Sequence, residues 1–166
     1  VVTPGQTFSY SENQLADAVV ATVIATDADT NNGATATNFR FENSGGLPAD
    51  TSSDGYFSIN NNGDISITAA GIAAGVAQND FETSPNSFNY AIQASSNGGT
   101  DFGAAVTVAL NVTDIDDNTP VVTPGQTFSY SENQLADAVV ATVIATDADT
   151  NNGATATNFR FENSGG

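Results

Sequence analysis

The sequence predicts an all-β protein, specifically a seven-stranded Greek-key β-sandwich that is repeated in tandem. Three observations carry this prediction. Short segments rich in β-branched and aromatic residues recur along the chain, with turn residues between them. No segment shows the periodicity of a strong amphipathic helix. Residues 1–46 recur letter for letter as residues 121–166, so one repeat ends at residue 120.

The first three strands are expected from alternation and β-branching. Residues 7–10 alternate polar and aromatic side chains. Residues 18–25 contain three valines and an isoleucine, whose shapes fit the pleated surface of a sheet. Residues 39–41 place an arginine between two phenylalanines. These segments are therefore predicted to form the first, second and third strands.

A hairpin supplies the fourth and fifth strands, at residues 56–59 and 64–68. The turn between them, residues 60–63, reads Asn-Asn-Asn-Gly, and an Asn-Gly pair favours the positive φ angles of a hairpin turn. The apolar stretch 69–77 contains two glycines. We expect this stretch to be a helical turn or a loop.

The sixth and seventh strands, residues 88–92 and 106–112, bring the number of strands to an odd value. If each strand reverses the direction of the one before it, the first strand starts at one end of the sandwich and the seventh finishes at the other. Such repeats join end to end into a rod. A final strand of about 11 residues at ~3.3 Å per residue implies a repeat roughly 40 Å long.

The composition excludes several classes of function. The 166 residues contain 19 acidic and 2 basic side chains, no histidine and no cysteine, and carry a formal net charge of −17. Ser-His-Asp and Cys-His catalysis, disulfides and structural zinc sites are therefore excluded. Two arginines cannot neutralise a nucleic-acid backbone or hold the chain to an anionic membrane. We expect no nucleic-acid partner, and we expect cations as ligands.

No apolar run is long enough to cross a membrane, and no basic-then-apolar leader is present. The expectation is a soluble segment without membrane insertion, already processed or cut from a longer protein.

The exact duplication indicates a tandem array. Packing tolerates many conservative substitutions, so identity at every position of residues 1–46 exceeds what a fold needs and suggests recent duplication. We expect residues 1–120 to be a complete repeat that includes a linker at 114–120, and residues 121–166 to be the first part of an identical second repeat. The expected partners are adjacent identical repeats, and an engineered concatemer is the alternative. The partial repeat lacks most of its sheet partners and is not expected to fold alone.

Acidic residues gather at the predicted repeat boundary. They occur in four motifs, which are Ser11-Glu12-Asn13, Asp80-Phe81-Glu82, the linker Asp114-Ile115-Asp116-Asp117-Asn118-Thr119-Pro120 and Asp147-Ala148-Asp149. Carboxylates held ~5 Å apart repel by about 1 kcal/mol per pair in water, and Ca²⁺ binds oxygen ligands without histidine or cysteine. The clustering therefore predicts cation binding. Solvation of loops is the alternative, and it better explains the scattered acids Asp17, Glu42, Asp50, Asp54 and Asp101.

The four motifs resemble, in order and spacing, the calcium motifs of the cadherin repeat. That family has a Glu near the end of its first strand, a D-x-E, a D-x-N-D-N-x-P linker and, in the following repeat, a D-x-D. The hairpin from Tyr56 to Ile65 is also similar to a cadherin hairpin. The resemblance implies an immunoglobulin-like sandwich that is extracellular, at the cell surface, and that binds Ca²⁺ at the junction between repeats.

The resemblance also implies which residues are calcium ligands. A pair of closely spaced ions would be bound by Glu12, Asp80, Glu82 and Asp117, with the Ile115 carbonyl and Asp149 completing the second ion. A third ion would be bound by Asp116, the Asn118 carbonyl, Asp147, Asp149 and the Asn152 carbonyl, and Asp114 belongs to the same acidic cluster. The equivalent residues of the first copy, Asp27, Asp29 and Asn32, are expected to bind metal shared with a preceding repeat.

Two positions depart from the family pattern. Asp116 stands where the linker of the family has Asn, which keeps an oxygen ligand and adds charge. Ser96 falls where the family has an acid, so the third ion loses a carboxylate.

The leading functional hypothesis is a structural extender repeat of a secreted or cell-surface adhesin, similar to those of giant bacterial surface adhesins. In it, calcium at each junction rigidifies a rod that projects a distal binding domain. No catalytic residues are assigned and no enzymatic activity is expected, because the acids lie at the end of a repeat, where no cleft is implied. One alternative is a carbohydrate- or protein-binding β-sandwich module. The other is a subunit of an extracellular filament assembled by strand exchange.

Overall fold

The computed structural model describes residues 1–27, 38–42, 49–96, 98–149 and 158–162. The chain divides into two compact units, Val1–Thr113 and Asp114–Gly166. The described part of the first unit contains seven strands, namely β1 (Thr7–Ser11), β2 (Val19–Thr22), β3 (Asn38–Phe41), β4 (Phe57–Ile59), β5 (Asp64–Ile67), β6 (Ser87–Ser95) and β7 (Val106–Thr113).

The seven strands form two sheets. One sheet has the order β1-β7-β6-β3 and the other the order β2-β5-β4. The pairing is antiparallel throughout, except that β1 runs parallel to β7. This architecture confirms the predicted all-β, seven-stranded Greek-key sandwich. Because β1 and β7 run in the same direction, the chain enters the first unit at one end and leaves it at the other.

The predicted strands differ from the observed ones mainly at their ends. The second strand, Val19–Thr22, is shorter than the predicted 18–25, and its register against β5 shifts between Val19 and Ala21. Beyond β2, the Val23 N–H still donates to the Gly63 carbonyl at 2.8 Å, and residues 24–26 then pair with residues 1–3. Residues 69–77 form a succession of turns without a regular helix, in agreement with the expected helical turn or loop.

The core lies between the two sheets. Alternate residues of β3, β4, β5 and β7 are buried in it, whereas β2 contributes the adjacent residues Val20 and Ala21. An aromatic chain runs through it, in which Phe57 packs edge-on against Tyr10 and Tyr90 with ring centroids 6.2 and 5.3 Å apart. Phe41 packs edge-on against Tyr90 at 5.7 Å. Offset and edge-to-face geometry is the favoured arrangement of such rings, and these contacts join β1, β3, β4 and β6.

Tyr10 and Tyr90, the two buried tyrosines among these aromatic residues, both have hydrogen-bond partners. The Tyr90 hydroxyl donates to Asp54 Oδ2 and the Tyr10 hydroxyl donates to the Gln78 carbonyl, each at 2.7 Å. Burial raises the pKa of both phenols well above the ordinary value. Asp54, expected to be a solvated loop acid, is instead held by this network, because its oxygens also accept from the Ser52 hydroxyl and the Tyr56 N–H.

The first residues of the chain belong to the sheet opposite β1. Val2 forms an isolated antiparallel bridge with Ala25, and the chain then crosses to β7 after Gly5, whose φ is 78°. The Gln6 side chain holds this crossing in place. Its Nε2 donates to the Thr3 and Ile24 carbonyls at 2.8 and 2.9 Å, and its Oε1 accepts from the Ile24 N–H at 2.8 Å.

The second unit contains, among its described residues, one two-stranded ladder. It consists of β8 (Val121–Val122) and β9 (Ala145–Thr146) in antiparallel pairing. The ladder repeats the Val2–Ala25 bridge of the first copy, and Gln126 makes the same three hydrogen bonds as Gln6. The counterparts of β1, β2 and β3, at residues 127–131, 139–142 and 158–161, are not strands.

Identical residues therefore have different environments in the two copies. Tyr10 is 7% exposed whereas Tyr130 is 68% exposed, and Phe41 is 2% exposed whereas Phe161 is fully exposed. In the first copy, Phe57 of β4 packs against Tyr10, and Tyr90 of β6 packs against Phe41, while β7 and β6 pair with the strands that carry them. The 166 residues contain no second copy of β5, β6 and β7, so the counterparts of β1, β2 and β3 lack these partner strands in their own unit.

Candidate metal centre

Glu12 is the most deeply buried of the predicted ligands that the structure describes in the first unit. Its N–H donates to the Thr113 carbonyl at 3.1 Å, which extends the β1–β7 pairing by one residue beyond the last residue of β1. The side chain is only 2% exposed, and its Oε2 accepts a hydrogen bond from the Phe81 N–H at 2.7 Å. Burial of a carboxylate is costly unless polar partners or a cation compensate it.

Asp80 and Glu82 lie on the loop that leads into β6. The Thr83 hydroxyl donates to Asp80 Oδ2 at 3.0 Å, and the Thr83 N–H donates to the Asp80 carbonyl at 3.2 Å, so this segment is a turn closed on Asp80. Glu82 is exposed. One of its oxygens lies within 4.8 Å of a Glu12 oxygen.

That separation fits a shared calcium ion. Ca²⁺ binds oxygen at about 2.3–2.6 Å, so two oxygens on the same ion lie at most about 5 Å apart. Glu12 and Glu82 meet this limit. The side-chain ligand atoms offered by Glu12, Asp80 and Glu82 are all oxygens, which suit a hard cation such as Ca²⁺.

The second unit gathers its own acidic group around Asp149. Asn118 donates twice to this carboxylate, from its backbone N–H and from its Nδ2, each at 2.9 Å. The same Nδ2 donates to Asp117 Oδ1 at 2.8 Å, and an Asp117 oxygen lies within 4.8 Å of an Asp149 oxygen. Asn118 thus holds two carboxylates at a distance that one calcium ion can span.

Two carboxyl groups in this second cluster have shifted pKa values in opposite directions. The side-chain hydrogen bond from Asn118 is the main cause that lowers the pKa of the Asp149 carboxyl, so Asp149 is negatively charged at neutral pH although it is only 1% exposed. Desolvation, followed by the negative charges of Asp149 and Asp147, raises the pKa of Asp116. The cluster therefore carries unfavourable charge density, which a divalent cation would relieve.

The remaining predicted ligands are less informative. Asp114 is buried and Ile115 is half-buried, while Asp147 Oδ1 accepts a long hydrogen bond of 3.4 Å from the Asp149 N–H. Asp29, Asn32 and Asn152 lie outside the described residues. Asp27 is described, and it lines a cleft with Val1, Ser95, Ser96 and Asp101.

Two partners in the site are not apparent from the motifs. The Phe81 N–H binds Glu12, but a backbone donor leaves no signature in the sequence. The Asn118 side chain binds Asp149 and Asp117, whereas the family resemblance implied only its carbonyl as a ligand. The Asp-Asn pair at 117–118 is the one signal that points to this role, because Asn side chains readily bind neighbouring carboxylates.

No protein-family model matches the sequence, and no curated protein matches it. Solved structures do match. Repeats EC22-24 of mouse cadherin-23 share 26% identity, with a TM-score of 0.55, over 89% of this chain and 43% of that chain. The human desmocollin-1 ectodomain shares 19% identity, with a TM-score of 0.63, over 89% of this chain and 26% of that chain. The fold of this chain is cadherin-like.

A third structure, human CDH23 EC21-23, shares 23% identity over 90% of this chain and 42% of that chain, with a TM-score of 0.53. The two human structures support the fold alone at these identities. The cadherin-like chain thus spans less than half the length of each of these proteins. None of the helices searched in the described residues is long and apolar enough to span a membrane.

Proposed function

We propose that this cadherin-like chain is part of an extracellular spacer, in which Ca²⁺ bound at each repeat boundary stiffens a rod of identical repeats. The observation that carries the proposal is the buried Glu12 carboxylate, held with a Glu82 oxygen within 4.8 Å. In this proposal Glu12, Asp80 and Glu82 bind calcium together with the linker acids Asp114, Asp116 and Asp117, the Ile115 and Asn118 carbonyls, and Asp147, Asp149 and Asn152 of the next repeat.

Electrostatics supports a role for calcium in stiffness. Two like charges 4 Å apart repel by about 1 kcal/mol in water and about 4 kcal/mol at the effective dielectric near a protein surface. The chain has 19 acidic side chains against 2 basic ones, so it cannot neutralise these clusters itself. Bound cations would replace repulsion with attraction, and would favour one geometry of the boundary over many open ones.

The course of the chain through the first unit supports the rod. Since β1 and β7 are parallel, the chain enters at one end and leaves at the other, so successive repeats extend rather than fold back. Exact identity between residues 1–46 and 121–166 is what a spacer built by duplication would show. The role proposed for the parent protein is that of a secreted or cell-surface adhesin, similar to the giant bacterial ones, with the target carried by another domain.

A carbohydrate-binding surface has less support. The chain has no tryptophan and four tyrosines, and Tyr10 and Tyr90 are buried in the core while Tyr56 is half-buried. Of the four tyrosines, only Tyr130 presents a largely exposed ring, at 68%, and it lies in the partial repeat. A platform of stacked aromatic side chains is therefore not available on the sandwich.

Assembly of filaments by strand exchange also has less support, despite the exposed apolar residues of the partial repeat. Each chain contains two copies of the segment 1–46 but one copy of residues 47–113, which cover it. If residues 121–166 of one molecule packed against residues 47–113 of another, they would displace the identical segment 1–46 of that molecule. The number of segments without a packing partner would stay the same. No contact is gained, while association costs translational and rotational freedom.

Small-angle X-ray scattering of a protein with four identical tandem repeats tests the spacer. We expect its maximum dimension to shrink when calcium is chelated, while circular dichroism shows that the sandwiches stay folded. Glu12→Gln in every repeat should remove the dependence on calcium, whereas Asp17→Asn, a matched change outside the acidic cluster, should preserve it. A maximum dimension that is the same with calcium and with chelator would contradict the proposal.

A further inference from the structure

We propose that Asn79 is a positioning residue for the calcium site, and that it holds the turn after Glu12 against the Asp80–Glu82 loop before any cation binds. This inference rests on the proposed function, and it concerns a neutral side chain that is not a ligand. Its consequence is a higher calcium affinity, because the two ligand-bearing segments do not have to be brought together on binding.

Both polar atoms of the Asn79 amide bind the backbone of one residue. Its Oδ1 accepts from the Gln14 N–H at 2.6 Å, and its Nδ2 donates to the Gln14 carbonyl at 3.2 Å. The Asn79 carbonyl also accepts from the Asn13 N–H at 3.2 Å. Three hydrogen bonds therefore join Asn79 to the two residues that directly follow Glu12.

The neighbours of Asn79 show why this attachment matters for the ligands. Asp80 is the next residue in the chain, and the Phe81 N–H donates to Glu12 Oε2 at 2.7 Å. The loop and the turn thus approach each other at two points, one on the backbone of Gln14 and one on the carboxylate of Glu12. The Asn79 bonds thus add an attachment between neutral groups to the Phe81 bond with the Glu12 carboxylate, and both hold Asp80 near Glu12.

Comparison with the second copy shows which features of the turn at residues 13–17 do not depend on Asn79. Asn13 and Asp17 have φ angles of 59° and 65°, and their counterparts Asn133 and Asp137 have φ angles of 60° and 65°. The side chain of Gln134 donates to the Ser131 carbonyl as Gln14 does to Ser11. The turn therefore forms from its own sequence, and what Asn79 adds is its attachment to the ligand loop.

Charge explains why an asparagine suits this position. Glu12 and Glu82 repel each other at their observed separation, so in the absence of a cation the two segments tend to move apart. An acidic residue at position 79 would add to that repulsion. An amide resists the separation with hydrogen bonds and adds no charge.

The loop has a second anchor, which keeps the test interpretable. The Tyr10 hydroxyl donates to the carbonyl of Gln78 in the buried core at 2.7 Å. Asn79→Ala leaves this bond and all the core aromatic contacts intact, so the sandwich should still fold. Asn61→Ala is the matched control, since Asn61 is an exposed residue of the β4–β5 turn.

Calcium titration of the 166-residue protein by calorimetry compares wild type, Asn79→Ala, Asn61→Ala and Glu12→Gln. We expect Asn79→Ala to weaken calcium binding by about 10-fold, the lower range for residues that orient metal ligands, and Asn61→Ala to leave it unchanged. The melting temperature in chelator should stay within a few degrees of wild type for both asparagine variants. A purely structural role would instead lower that melting temperature and leave the affinity of the folded protein unchanged.

The failures of the two proposals are distinguishable. If wild type binds no calcium, the proposed function and this inference both fail. If wild type binds calcium and Glu12→Gln weakens the binding but Asn79→Ala does not, only the role of Asn79 is wrong.

Hydrogen exchange of wild type in chelator gives an independent answer that needs no variant. The Gln14 amide should be protected, while the amide of its counterpart Gln134 should exchange rapidly, because the second copy has no residue equivalent to Asn79. Equal and rapid exchange at Gln14 and Gln134 would overturn the inference, since the attachment would then not exist before the cation binds.

Discussion

Phe41→Ala and Phe161→Ala make the same change in the same local sequence, but we expect only Phe41→Ala to lower the stability substantially. Phe41 is 2% exposed and packs edge-on against Tyr90, whereas Phe161 is fully exposed. Truncation of a buried Phe costs about 3–5 kcal/mol, while a surface change away from special features stays within about 0.5 kcal/mol. Roughly 4 kcal/mol in a domain of this size lowers the melting temperature by about 15 °C or more.

Thermal unfolding followed by circular dichroism, in chelator and at low protein concentration, measures both variants against wild type. Hydrogen exchange adds a readout at residue level, in which residues 19–25 should be protected and the identical residues 139–145 should not. If Phe161→Ala lowers the melting temperature as much as Phe41→Ala does, the partial repeat is packed and our account of its environment is wrong. A loss below about 1 kcal/mol for Phe41→Ala would refute the assigned core.

Three further predictions concern cations and protons. Glu12→Gln should remove most of the rise in melting temperature caused by calcium, whereas Asp17→Asn should retain it, and equal losses would contradict the assignment of Glu12 as a ligand. Millimolar calcium should stabilise the protein by about 2.7 kcal/mol per site at 100-fold saturation, and equal stabilisation by magnesium would refute selectivity for calcium. Side-chain hydrogen bonds, the larger effect from Asn60 and the smaller from Thr22, lower the pKa of Asp64. The ionised Asp64 carboxylate therefore stabilises the fold above the ordinary carboxyl pKa, and this stabilisation is lost as the pH falls through the lowered pKa of Asp64. Asp64→Asn should therefore lower the melting temperature at pH 7 and much less near pH 2, and a difference that does not depend on pH would contradict this.

Much of the candidate site could be predicted from the sequence, because calcium ligands are acidic side chains that occur in recognisable motifs. The motifs predicted Glu12, Asp80, Glu82 and Asp149 as ligands, and this assignment remains a prediction. They did not identify Asn79, because its partner is the backbone of a residue 65 positions away. A contact of that kind depends on where the fold places two loops, and no local pattern encodes it.

The two identical copies show which features the sequence alone determines. The Gln6 and Gln126 side chains make the same hydrogen bonds, and both copies have positive φ at the equivalent Asn and Asp residues of the turn. These features need only groups within about 20 residues, so the same letters produce them in both environments.

The strands themselves required the tertiary structure. Residues 7–11 form β1 against β7, a strand about 100 residues further along the chain, whereas the same letters at 127–131 form no strand. An isolated strand leaves its N–H and C=O groups unpaired with protein and its apolar side chains in water, so its backbone entropy cost is not offset. The sequence predicted a strand at each of the seven observed positions, because its alternation matches a sheet. Only the distant strands, which supply hydrogen bonds and bury the apolar side chains, decide which of the two identical copies forms strands.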